Sequence, residues 1–195
     1  MRSLLAAVFL TLTTSLFAAF PAHAGGFGII TTGGIHTDRV YYYADDLQYL
    51  NRQSRPNMGG GLELILGDRD DKVQGFVRGY YIQDAPQVAP ASADELGATY
   101  SIREEAREIG MVSTGVQWTV YGDPMGFSAY LTSVMGSGIA TTDNLEFLLL
   151  EGGAGASYHI DKKIAVFGEV AAGARFRKVF YQNHNAYVGV RYLFD

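Results

Sequence analysis

The chain has no cysteine among its 195 residues. That excludes disulfides, a lipid anchor on an N-terminal cysteine, and cysteine-based metal sites. It has no basic excess either, with 15 Lys and Arg against 20 Asp and Glu and a net charge of −5. A nucleic-acid partner wants a basic surface, so this balance argues against one. Beyond the first 24 residues no apolar run approaches the roughly 20 residues a transmembrane helix needs; the most apolar stretch, residues 147–150, reads Phe-Leu-Leu-Leu. Proline is scarce at 5. Helix formers are concentrated only in one connection, 102–108. No glycine-rich phosphate loop, triad spacing or calcium loop is present.

Glycine, by contrast, is abundant at 24, and aromatics make up 13% of the chain. This composition suits glycine-spaced strands. The N-terminus has the form of an export signal. Arg2 supplies a short basic region, residues 4–20 an apolar core, and Ala22-His23-Ala24 a small-x-small cleavage site. Residues 1–24 are expected to be removed, leaving 25–195 as one domain.

Eight segments alternate with period 2: 27–36, 58–66, 73–83, 109–120, 127–139, 147–160, 164–176 and 185–195. Their connections alternate in length. Those between segments 2 and 3, 4 and 5, and 6 and 7 are turns of a few residues rich in Gly and Asp. Residues 36–57, 84–108, 140–146 and 177–184 form longer loops, with 102–108 a candidate helical turn. This sorting puts every short turn, and both chain ends, at one end of an up-and-down sheet. It matches the plan of outer-membrane barrels and has no reason in a soluble one.

Charge is sorted as well. The charged residues within the segments are Glu63, Arg78, Glu151, Glu169, Arg175 and Arg191, each opposite a continuous apolar set. On a lipid face at the midplane each would cost about 2–4 kcal/mol. Aromatics gather at segment ends: Trp118, Tyr121, Phe127, Tyr158, Tyr192 and Phe194 at the short-turn end, and Tyr41 to Tyr43, Tyr80, Tyr81, Phe147, Phe176, Phe180 and Tyr181 at the other. Two interfacial girdles would have this form.

The last segment carries Val188, Val190, Tyr192 and Phe194 on one face, with Asp195 after the Phe. This resembles the C-terminal signature of bacterial outer-membrane β-barrels, and the whole plan is similar to the barrels of the outer-membrane protein A and X families. The resemblance implies an all-β, closed, eight-stranded antiparallel barrel in the outer membrane of a Gram-negative bacterium. It also implies contact with outer-membrane lipid, recognition of the signature by the barrel-assembly machinery, no cofactor, and no catalytic role.

Eight strands leave an interior that side chains can fill. The six charges are expected to pair there as a polar network, Glu63 with Arg78 and Glu169 with Arg191, forming a plug or, alternatively, a narrow ion or water path. Tyr41, Tyr42, Tyr43, Arg52 and Arg55 in the first long loop are candidate contacts for an envelope or surface protein. A lipid-modifying enzyme is a further alternative. His36, His184 and Asp38 are the residues that would bear an acid-base or metal site at the neighbouring ends of segments 1 and 8; no metal is expected.

Overall fold

The computed structural model describes the backbone at residues 24–44, 47–85, 87–88, 103–104, 107–140, 145–176 and 180–194, and side chains at 25–36, 54–85, 108–139, 147–176 and 182–194. Ten strands follow in chain order: β1 (Ala24–Ala44), β2 (Leu47–Leu66), β3 (Val73–Asp84), β4 (Gln87–Val88), β5 (Arg103–Glu104), β6 (Arg107–Gly122), β7 (Phe127–Ala140), β8 (Leu145–His159), β9 (Ile164–Phe176) and β10 (Phe180–Leu193). Eight close into a barrel in the order β1-β10-β9-β8-β7-β6-β3-β2, while β4 and β5 pair separately in the connection from β3 to β6. All pairings are antiparallel.

The alternation along each strand sets the two faces. Val188 on β10 is 60% exposed and Arg191 4%. Leu62 and Leu64 of β2, Val112 of β6, Leu131 of β7 and Val170 of β9 are likewise exposed. Among the strand residues whose side chains are described, Glu108 at the long-loop end of β6 is the one Asp, Glu, Lys or Arg that faces out. The barrel is therefore inside-out relative to a soluble one, with apolar side chains outward and charges inward.

Each short turn is built on an aspartate, whose side chain bonds nearby backbone N–H groups. The N–H of Asp68 donates to Asp71 Oδ2 at 3.2 Å, that of Met125 to Asp123 Oδ1 at 2.9 Å, and those of Lys163 and Ile164 to Asp161 Oδ1 at 2.7 Å. Gly67 and Gly122 enter the first two turns at φ 102° and 84°, where a side chain is strained. At the same end, the Phe194 N–H donates to Gly25 O at 2.9 Å, tying the two ends of the barrel sequence together.

Three expectations need correction at the long-loop end. Residues 37–57 were expected to belong to a loop, but β1 and β2 continue as a paired ribbon to Ala44↔Leu47. Pairing of β1 with β10 stops at Thr37↔Gln182, and that of β2 with β3 at Asn57↔Asp84. The ribbon from 38–53 therefore runs past the barrel rim with no neighbour on either edge among the described residues. Pro56 is what hid it, because proline argues against a strand interior; it sits where β2 leaves β3. The candidate helical turn is not helical: Arg103–Glu104 is a strand, and β6 begins at Arg107. In the girdle at that end, Tyr81 and Phe176 are exposed, whereas Tyr80 and Phe147 turn inward. The short-turn girdle is exposed at all six positions. Residues 1–23 of the expected export signal and Asp195 lie outside the described residues, as do the side chains of Tyr41, Tyr42, Tyr43, Arg52, Phe180 and Tyr181.

Candidate functional site: the barrel interior

Glu63, Arg78, Glu151, Glu169, Arg175 and Arg191 are all buried inside the barrel. The centre of the interior is one ion-pair network. Glu63 accepts from Arg78 Nε and Arg191 Nε, each at 2.7 Å. Arg78 also makes a two-pronged contact with Glu169, Nη1 to Oε1 at 3.1 Å and Nη2 to Oε2 at 2.7 Å. Arg191 Nη1 donates to Gln117 Oε1 at 3.1 Å, and Thr132 Oγ1 donates to Glu169 Oε1 at 3.1 Å. In the ring order β3 and β9 stand four places apart, as do β10 and β6. Arg78 and Arg191 thus each bridge the full width of the lumen.

This corrects one expected pair. Glu63 meets Arg78 directly across β2 and β3, as their register requires. Glu169, however, lies opposite Tyr187 in the ladder and Arg191 opposite Ala165, so the two are displaced along the strands. Each finds its partner across the lumen instead.

Toward the long-loop end lies a second group. Glu151 accepts from Asn183 Nδ2, from Asn185 Nδ2 at 3.2 Å and from Tyr187 Oη–H at 3.1 Å. Above it, His36 Nδ1 stands 2.6 Å from Asp84 Oδ1, and its Nε2 meets Arg175. Arg55 and Asn57 are buried at this level too. Arg55 is therefore an interior residue of β2, not an exposed loop contact. His36 and His184 do not converge: Ile35, not His36, pairs with His184, and the His184 ring faces outward. Asp38 lies in the ribbon, its side chain outside the described residues.

Aromatic rings fill the remaining space, and glycines make room for them. Five inward glycines stand directly opposite an aromatic in the ladder: Gly61↔Tyr80, Gly115↔Phe76, Gly138↔Phe147, Gly155↔Tyr130 and Gly189↔Phe167. A Cβ at any of them would meet the facing side chain at 2.4 to 2.6 Å. At four of them the facing atom belongs to the ring, and at Gly61 it is the Tyr80 Cβ, so the glycines give the aromatics room in the sheet. The rings also carry the guanidinium groups: Arg191 sits 4.0 Å from the Phe167 centroid and Arg78 4.2 Å from Phe76. Near the short-turn end, a cavity of about 10 Å³ lies among Gln117, Ser128, Ser157 and Arg191, about the room one water needs. Sequence reasoning missed Asn57 and Asp84 and placed Arg55 in a loop. Positions 55, 57, 59, 61, 63 and 65 continue one period-2 set, which was the available signal.

No protein-family model matches the sequence, and no curated protein matches it significantly. Solved structures do. Neisserial surface protein A matches with a TM-score of 0.51 at 10% identity, covering 88% of this chain and 98% of that one. Ail, the attachment invasion locus protein of Yersinia pestis, has a TM-score of 0.44 at 11% identity, covering 88% and 100%. A de novo designed transmembrane β-barrel has 0.41 at 14% identity, covering 88% and 98%. The chain has the fold of the small eight-stranded outer-membrane β-barrels.

Proposed function

We propose that this chain is an integral barrel protein of a Gram-negative outer membrane. It serves the envelope as a sealed scaffold that presents its long-loop end, above all the β1–β2 ribbon, to a surface or envelope partner. The observation that carries the reading is the sorting of side chains: an apolar outer wall around an interior packed with paired charge and rings. Paired charges spanning the lumen and aromatics laid over glycines leave little free section for solute. Val188, Val190, Tyr192 and Phe194 then face lipid, and they serve the assembly machinery as its recognition strand.

The test has two parts. Extraction from membranes should require detergent, and unboiled protein should migrate faster than boiled protein on a denaturing gel. Extraction by buffer alone removes the reading. In planar bilayers the purified chain should show no discrete conductance; regular steps would instead favour the narrow-path alternative, which the polar interior supports. An unchanged lipid A mass on expression separates this reading from the lipid-modifying one.

A further inference from the structure

Gly34 on β1 has an asparagine on either side. Its ladder partners are Asn57 on β2 and Asn185 on β10. Both turn into the barrel and are buried, as is Thr32, the next inward residue along β1. Two inter-strand steps of about 4.8 Å put the two asparagine Cα atoms about 9.6 Å apart, across a residue with no side chain. Thr32 stands on the diagonal to each, about 7–8 Å away and within reach of a side chain.

The amide of Asn185 has a fixed orientation. Its Nδ2 lies 3.2 Å from Glu151 Oε1, 3.1 Å from Tyr187 Oη and 3.4 Å from Asn183 Oδ1. Its Oδ1 is turned the other way, over the bare backbone of β1, where a Cβ on Gly34 would meet it at 2.6 Å. Among the described residues, Asn185 Oδ1, both polar atoms of the Asn57 amide and Thr32 Oγ1 have no hydrogen-bond partner. In a packed interior, polar atoms left so carry their full desolvation penalty.

These four atoms define what would satisfy them. Asn57 Oδ1 and Asn185 Oδ1 need a donor, Asn57 Nδ2 needs an acceptor, and Thr32 Oγ1 serves as either. A cation would suit the oxygens but face the Asn57 N–H groups, with Arg55 and Arg175 buried nearby. An anion would suit Asn57 Nδ2 but face both carbonyl oxygens, with the Glu151 carboxylate beside Asn185. A small neutral molecule that both donates and accepts suits all four. The two asparagines are too far apart to bond each other, but each can reach a molecule held between them.

We infer that Thr32, Asn57 and Asn185 bind one water molecule over the bare backbone of Gly34. Buried waters typically make about three hydrogen bonds to groups otherwise unsatisfied, and this site supplies that number. The water ties β2 to β10 across β1, which joins the two strands on either side of the closing one without a side chain of its own. The inference concerns the interior and is independent of the partner reading above.

Isotopic labelling of the asparagine nitrogens in the full chain, refolded in detergent micelles, allows a magnetic-resonance test. Asn57→Leu identifies the Asn57 amide signals by their loss. In the parent those signals should show cross-relaxation with water, of the sign produced by a molecule held beyond the nanosecond range, and Thr32→Val should weaken it. Denaturant titration in lipid vesicles gives a second measure, because the alternatives differ in sign. With a shared water, Thr32→Val and Asn57→Leu should each raise the unfolding equilibrium constant about fivefold, the scale of one net hydrogen bond. Together they should raise it by less than the product, because the partner is common to both. Without the water, each apolar replacement removes an unpaired polar group and lowers that constant. Gel mobility of unboiled protein checks that each variant folds. Asn57 signals with no cross-relaxation to water, or single variants that stabilise the barrel, overturn the inference.

Discussion

Glu63 shows how the interior distributes its charge. One carboxylate serves two guanidinium groups, and Arg78 has Glu169 as a second anchor while Arg191 has only the neutral Gln117. Removing Glu63 therefore strands Arg191 more than Arg78. Glu63→Ala should destabilise the barrel by about 3–5 kcal/mol, the range for breaking a buried pair, measured by denaturant titration in lipid vesicles. Arg191→Ala in the same background should add little, because the partner it would strand is already gone. The glycines make a second test at this scale. Gly155→Val should cost about 1–3 kcal/mol as an overpacking change, since a Cβ there meets the Tyr130 ring at 2.5 Å. Tyr130→Ala should relieve part of that cost. The charged residues were legible from their period alone, but their partners were not. Alternation tells which face a residue is on, whereas Arg78 reaches a residue four strands away in the ring. The aromatic–glycine pairs were also hidden, because they depend on register.

At the scale of the strand, β10 divides into an outward apolar face and an interior face. Val188 stands near mid-height on the outside, while Phe194 is at the rim. Val188→Arg should lose about 2–4 kcal/mol of stability and Phe194→Arg about 0–1, following the depth dependence of charge on such walls; the same unfolding assay reads both. The ribbon is the element the sequence concealed. Pro56 and the mixed polarity of 37–57 read as a loop, whereas the backbone pairs through to Ala44↔Leu47. Thr37 and Ser54 are ladder partners, so replacing 38–53 with Asn-Gly joins residues already opposite each other. The shortened chain should keep the heat-dependent gel shift of the parent. Proteins that co-purify with the parent in mild detergent should be lost if the ribbon is the contact element.

At the scale of the molecule, the closed barrel followed from regularities spread over the whole chain: eight alternating segments, short turns at one end, charge on one face. No single residue carried it, which is why local errors at 37–57 and 102–108 left the architecture intact. What could not be read was anything set by closure itself. Closure brings β1 to β10, and Glu63 on β2 bonds Arg191 on β10 across that seam. Arg78 on β3 and Glu169 on β9 join across the same seam, two strands beyond β1 on one side and one beyond β10 on the other. A sheet of eight strands still open at β1 and β10 would keep Glu63 with Arg78 but hold Arg191 and Glu169 apart from them. The network is thus a latch that engages only once the ring is complete. It makes the partly inserted sheet electrostatically expensive in lipid, and rewards the final step alone.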